Sequence, residues 1–119
     1  MLNRLRGRSI LVIEHEPSVA HELEQQFKRA GATVYSAGEL RDALHMAEHP
    51  ALSAAVINLR LGTDKTLAVC RRLEHLGIPF MFYTRHDPAE AAHQWPSAPV
   101  VFKPAASHVV ARTVAGLMN

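Results

Sequence analysis

The stretch SILVIEHEPS, Ser9 to Ser18, is the part of the sequence that decides the fold. Its first five residues, Ser9 to Ile13, form a continuous apolar run, which is typical of a strand that is covered on both faces. An acidic step, Glu14-His15-Glu16, follows this run, and Pro17 then marks the first turn of a helix. The stretch therefore predicts a buried strand, a polar step at its C-terminal end, and a helix.

The same alternation of strand and helix continues to the end of the chain. Apolar runs predict strands at 9–13, 33–36, 53–57, 78–83 and 100–102. Apolar residues at three- and four-residue spacing predict helices at 17–30, 40–47, 67–76 and 109–117, and a weaker one at 87–95. Such alternation indicates a parallel sheet with right-handed crossovers. The predicted fold is α/β: a flavodoxin-like, doubly wound, five-stranded parallel sheet of order 2-1-3-4-5 with helices on both faces.

Length, composition and charge exclude several classes of protein. The 119 residues fit one domain, which we predict over residues 8–119 after an N-terminal tail at 1–7. Cys70 is the only cysteine, so no intrachain disulfide forms and a cytoplasmic protein is expected. The apolar runs are too short to span a bilayer, and the Arg4-Arg6-Arg8 segment lacks the apolar region of a signal peptide. A net charge of +2, scattered along the chain, predicts no nucleic-acid partner and no membrane partner.

Polar residues stand at the C-terminal ends of four of the predicted strands. In an open α/β sheet these ends meet at one edge, where ligands bind. We therefore expect one pocket built from the following residues: Glu14, His15 and Glu16 after the first strand, Asn58 after the third, Thr84 after the fourth, and Lys103 with Pro104 after the fifth.

Four motifs give the chain a resemblance to the receiver domain of bacterial response regulators, the phosphorylated component of two-component signalling. They are ILVIEHEP (10–17), AVINLRLG (55–62), FYT (82–84) and VFKP (101–104), and the resemblance extends from about residue 8 to residue 117. It implies that Asn58 occupies the phospho-acceptor position, Thr84 that of the switch hydroxyl, and Lys103 that of the phosphate-binding lysine. It also implies a cis bond between Lys103 and Pro104.

The chain departs from the family at the phospho-acceptor and at the metal site. Asn58 stands where the family has an aspartate, and an amide cannot form the acyl phosphate. Glu14 and His15 stand at the two positions that hold Mg²⁺ in the family, but Mg²⁺ prefers oxygen ligands. We therefore expect no cofactor, or weak Mg²⁺ binding at most. With His15 replacing an acid, the set Glu14, His15 and Glu16 is instead compatible with Zn²⁺ or with a bound proton.

A third departure concerns the aromatic switch residue that most of the family carries three residues before the lysine. Val100 stands there, so the usual coupling between the hydroxyl and an aromatic ring is not expected. Phe102 should face the same side of the strand as Val100 because side chains alternate, and we expect it in the core.

The predicted function is that of a degenerate receiver in bacterial phosphorelay or two-component signalling, acting as a phosphorylation-independent protein-interaction module and not as an enzyme. Its partner would be a histidine kinase, another regulator, or a second copy bound through the face from the fourth to the fifth helix. The alternative is a sensor domain whose vestigial pocket binds a small anion, a metal or a proton. Phosphorylation of a different residue, with His15 as the nearest candidate, is a further option. An enzyme is disfavoured because no nucleophile stands beside a base and no glycine-rich phosphate loop is present.

A few other residues carry weaker signals. His45 and His49 have metal-compatible spacing but no third ligand nearby, so a solvated helix face is expected. Cys70 fits the apolar stripe of its helix. Trp95 fits either an interface or the core. The fourth helix has few apolar residues, and we expect it to be short or mobile.

Overall fold

The computed structural model describes residues 2–118, and its side chains from Arg4 onward, so the predicted boundaries at Met1 and Asn119 lie outside it. The main strands are β1 (Ser9–Ile13), β2 (Thr33–Ala37), β3 (Ala54–Ile57), β4 (Phe80–Thr84) and β5 (Val100–Phe102). The helices are α1 (Pro17–Arg29), α2 (Leu40–Met46), α3 (Leu67–His75), α4 (Ala89–Gln94) and α5 (Ser107–Ala115).

The strands form one parallel sheet of order β2-β1-β3-β4-β5, which confirms the predicted fold. The register pairs Ile13 of β1 with Ile57 of β3, and Thr84 of β4 with Phe102 of β5. The C-terminal ends of neighbouring strands therefore lie side by side, and the residues that follow them share one edge of the sheet.

Helices cover both faces of the sheet, which explains why the inner strands β1 and β3 are almost entirely apolar. Leu11 and Ile13 of β1 belong to the core layer under α2, α3 and α4, whereas Ile10 and Val12 belong to the layer under α1 and α5. All four are at most 1% exposed. Because successive side chains of a strand point to opposite faces, a strand covered on both sides has no polar face.

The segment after β3 contains a feature that the sequence patterns did not predict. Arg60–Leu61 and Asp64–Lys65 pair as a two-stranded antiparallel hairpin. Gly62 at the turn has a φ of 66°, a left-handed conformation that glycine adopts without strain. The hairpin begins two residues after Asn58 and leads the chain from the sheet edge to α3.

The N-terminal segment, which we predicted as a tail at 1–7, packs on the domain through Leu5 and Gly7. Leu2–Leu5 form a 3₁₀ helix, and Leu5 is fully buried in the layer under α1 and α5. The backbone N–H of Gly7 donates to the carbonyl of Gly31, at an N···O distance of 3.0 Å. Leu5 stands between Arg4 and Arg6 without apolar periodicity around it, so the sequence patterns did not predict this packing. Within residues 2–118, no helix is long and apolar enough to cross a membrane.

Candidate functional site

The edge formed by the C-terminal strand ends brings the predicted pocket residues together. Glu14, Asn58 and Thr84 are 4%, 2% and 0% exposed, which is unusual for polar residues. Backbone hydrogen bonds hold them in place: the N–H of Asn58 donates to the carbonyl of Ile13 at 3.0 Å, and that of Lys103 to the carbonyl of Thr84 at 2.9 Å. Each side chain therefore sits where its strand leaves the sheet.

A buried salt bridge forms the centre of the pocket. Lys103 Nζ lies 2.8 Å from Glu14 Oε1, and the two side chains are only 3% and 2% exposed. The same ammonium lies 3.1 Å from Glu16 Oε1. Charges this far from water are tolerated only when they are paired and hydrogen-bonded. The salt bridge therefore accounts for how the chain keeps a lysine and a glutamate inside the domain.

Asn58 points its amide nitrogen at the same glutamate. Its Nδ2 donates to Glu14 Oε2 at 3.2 Å, and the ionised carboxylate can only accept, so this is the favourable orientation of the amide. Asn58 Oδ1 is buried and has no hydrogen-bond partner among the described residues. The backbone carbonyl of Asn58 accepts from Thr66 Oγ1 at 2.9 Å. Thr66, which is fully buried, is a supporting residue that the sequence patterns did not single out.

Glu16 links the buried salt bridge to the surface. Its carboxylate binds Lys103 on the inside and Arg85 on the outside, with Arg85 Nη2 3.1 Å from Oε1. The hydrogen bond from Lys103, with a smaller contribution from Arg85, lowers the pKa of the Glu16 carboxyl below its ordinary value of 4.5. Arg85 was missed by sequence reasoning, although its position directly after Thr84 places it at the same edge.

His15 lies at the rim of the pocket. Its Nδ1 is 3.7 Å from Glu14 Oε2, beyond hydrogen-bond distance, and its side chain is 38% exposed. Among residues 2–118, no three His, Cys, Asp or Glu side chains are grouped so that they could hold one metal ion. The predicted Zn²⁺ option for Glu14, His15 and Glu16 therefore has no support from the geometry.

The switch region differs from the expectation at one residue. Thr84 Oγ1 accepts a hydrogen bond from the backbone N–H of His86 at 3.1 Å. Val100 is partly buried and packs against the core. Phe102, however, is 57% exposed, so its predicted core position is wrong. It is the last residue of the edge strand β5, which has a neighbouring strand on one side only.

The turn after β5 is held by Tyr83. The bond between Lys103 and Pro104 is cis, as the resemblance implied. Tyr83 Oη donates to the carbonyl of Ala105 at 3.0 Å and accepts from its N–H at 3.2 Å. The Lys103 ammonium lies 5.6 Å from the centre of the Tyr83 ring. Tyr83 therefore ties the turn that carries Lys103 to the neighbouring strand.

His49, Cys70 and Trp95, whose sequence context pointed only weakly to a function, have structural roles. The His49 ring lies 4.3 Å from that of Tyr35, between centroids, and its Nδ1 accepts from the backbone N–H of Ala51. Cys70 is fully buried in the core, and this burial raises the pKa of its thiol to about 12. Trp95 is 7% exposed and packs edge-to-face on Phe80, so it belongs mainly to the core.

Comparison with solved structures identifies the fold. A response regulator receiver protein from Sinorhizobium medicae WSM419 superposes with a TM-score of 0.83 at 21% identity, over 95% of each chain. The signal receiver domain of a putative Luxo repressor protein from Vibrio parahaemolyticus gives 0.80 at 18% identity, over 93% of this chain and 89% of that one. The chain has the fold of a response-regulator receiver domain.

A third similar structure belongs to a family of redox sensors in the streptococci, described as having evolved from two-component response regulators. It gives a TM-score of 0.80 at 21% identity, over 93% of this chain and 51% of that one. No protein-family model matches the sequence, and no curated protein matches it. At such identities the receiver likeness concerns the fold, and the function has to be argued from the pocket.

Proposed function

We propose that this receiver-fold chain is a protein-interaction module of bacterial two-component signalling that works without phosphorylation at position 58. The observation that carries the proposal is the buried group formed by Lys103, Glu14 and Asn58. The amide at position 58 has no nucleophilic oxygen, and its Nδ2 is already bonded to Glu14. The lysine that would neutralise a phosphoryl group is already paired with Glu14 and Glu16.

The charges at the pocket also support a module that binds no metal. Mg²⁺, which the receiver fold implies, needs oxygen ligands with free lone pairs. Glu14 Oε1 is bonded to Lys103, and its Oε2 to the amide of Asn58 and the backbone N–H of Glu16. His15 supplies nitrogen where the family has a carboxylate. Asn58 Oδ1 is buried without a partner, but a single neutral oxygen does not make a Mg²⁺ site. Since the residues present do not fit Mg²⁺, no step of the proposed function involves it, and we propose no enzymatic activity.

Partner binding in this proposal depends on which surface is presented. A receiver binds without phosphorylation if its binding-competent conformation is already populated. The face from α4 to α5 carries two exposed apolar side chains, Phe102 at 57% and Val109 at 37%. We propose this face as the contact for a histidine kinase, another regulator or a second copy, in the cytoplasm.

Intact mass measurement after incubation with acetyl phosphate and Mg²⁺ tests the proposal. We expect no phosphoryl adduct on the native chain. The matched variant is Asn58→Asp: an adduct on it alone would assign the block to the amide, whereas an adduct on neither would also implicate the Lys103–Glu14 salt bridge and His15. An adduct on the native chain would contradict the proposal, and mapping of the modified residue would begin at His15.

The second candidate function is a sensor of a small anion or of protons. Glu16 favours it, because its carboxylate is held between two cations, Lys103 and Arg85, and lies partly exposed at the mouth of the pocket. A free oxyanion at high concentration, or protonation of Glu16, would compete for these contacts. Amide NMR spectra recorded during a phosphate titration and a pH titration test it. This candidate fails if the residues around Lys103 and Arg85 show no shift in either titration.

A further inference from the structure

A second concave site lies at the opposite end of the molecule from Asn58. It is a cleft of about 640 Å³ at the start of β4, within the size range of small-molecule pockets. Its apolar wall contains Ile78, Phe80, Trp95 and Leu117. None of the residues that form the Asn58 pocket lines it, so a ligand in the cleft would not contact that pocket.

The aromatic wall of the cleft is held in place by the core. The rings of Trp95 and Phe80 meet edge to face, with centroids 5.9 Å apart and planes at 74°. Each residue is only 7% exposed, so both rings are packed from behind and present one edge or face outward. A ligand that packs against this wall loses little free energy in ordering the side chains, because they are already immobile.

The one charged side chain among the described residues that line the cleft is negative. Glu74 is its only acidic lining residue, and no lysine or arginine lines it in the part of the chain that the structure describes. Glu74 is exposed, and no cationic side chain among the described residues lies within ion-pair distance of it. α3 and α5 both end beside the cleft, and the C-terminal end of a helix carries partial negative charge.

We propose that this cleft binds a small organic cation with a flat apolar body, which packs against Trp95 and Phe80 while its positive group faces Glu74. The aromatic wall suits an apolar ring, and tryptophan is the aromatic side chain that attracts cations most strongly. An anionic molecule of the same shape would be repelled by the carboxylate of Glu74 and by the partial negative charge of the two helix ends. The site gives the domain a place for a chemical input that does not involve position 58.

Benzamidine is the probe for this proposal, with neutral benzamide and anionic benzoate as molecules of nearly the same shape. Trp95 is the only tryptophan, so its fluorescence reports on the cleft wall directly, and amide NMR shifts locate the binding. We expect benzamidine to bind with a dissociation constant of roughly 1 mM, benzamide more weakly, and benzoate not at all.

The matched pair of variants is Glu74→Gln and Glu22→Gln. Both remove one exposed carboxylate from a helix, but only Glu74 lines the cleft. Glu74→Gln should weaken benzamidine binding about fivefold, as expected for the loss of one partly screened ion pair, and Glu22→Gln should leave it unchanged. The proposal is overturned if benzamidine does not bind at roughly ten times that concentration, if benzoate binds equally well, if Glu74→Gln has no effect, or if the NMR shifts map away from the cleft.

Discussion

Replacement of Lys103 by methionine is the most direct probe of the buried salt bridge. The change keeps an unbranched side chain of similar length but removes the ammonium that lies 2.8 Å from Glu14. Glu14, with 2% of its side chain exposed, would then be an uncompensated charge. Breaking a buried pair from one side costs about 3–5 kcal/mol. For a domain of this size, that loss corresponds to a fall in Tm of roughly 10–20 °C.

The chain contains its own control for this experiment. Lys65 and Glu90 also form an ion pair, at 3.4 Å, but their side chains are 55% and 59% exposed. Lys65→Met should therefore cost less than about 1 kcal/mol. Urea unfolding of both variants, followed by circular dichroism and by tryptophan fluorescence, gives the two free energies and checks two-state behaviour.

A double variant separates the lost charge balance from a simple packing defect. In Lys103→Met with Glu14→Gln, position 14 can still accept from the Asn58 amide, and no unpaired charge remains. Most of the stability lost in Lys103→Met should return, since neutral replacement of a buried pair is often harmless. Equal costs for Lys103→Met and Lys65→Met, or no recovery in the double variant, would refute the reasoning.

Four further predictions concern other parts of the chain. The Cys70 thiol, whose pKa is raised to about 12 by burial, should resist alkylation at pH 8 in the native state and react fully in urea, as intact mass would report. Phe102→Ala should change the free energy of unfolding by less than about 0.5 kcal/mol, whereas Phe82→Ala, at a fully buried position, should lower it by about 3–5 kcal/mol. Comparable losses in the two variants would contradict the observed exposure of Phe102. The pKa of the Glu16 carboxyl is lowered in the folded state, so the ionised carboxylate stabilises the fold fully above pH 4.5 and loses this effect as the pH falls below that value. The difference in free energy of unfolding between the native chain and Glu16→Gln should therefore shrink on acidification. A difference that grows would contradict the prediction. Amides of Ala89–Gln94 should exchange faster than those of the other helices in hydrogen-exchange measurements, since α4 is short, and strong protection there would count against this.

The fold could be predicted because burial on both faces leaves a direct mark on the sequence. A run such as Ile10 to Ile13 is apolar at every position, and the helices between the strands have clear apolar stripes. Elements of only a few residues are too short to show an apolar pattern in the sequence. The hairpin at 60–65 has strands of two residues, and Leu5 stands between two arginines.

The site was predictable in position but not in its contacts. The ends of parallel strands meet at one edge, so Glu14, Asn58, Thr84 and Lys103 were expected together. The sequence alone did not indicate which of these residues pair with one another, because all four lie at that edge. In the structure, Lys103 pairs with Glu14 and Glu16. Arg85 joins this group through Glu16, and it was missed because its exposed position resembles that of any surface arginine.

The packed N-terminal segment means that the two ends of the described chain are neighbours. Arg4 Nη1 lies 3.5 Å from the carbonyl oxygen of Met118, at the end of the molecule away from Asn58. Neighbouring ends are the geometry that tolerates circular permutation. A linker of a few residues could join them, and the exposed turn at Gly62 could be opened to give new ends beside the pocket. A reporter attached there would sit next to the Asn58 pocket, while the Leu5 contact with the core stayed intact.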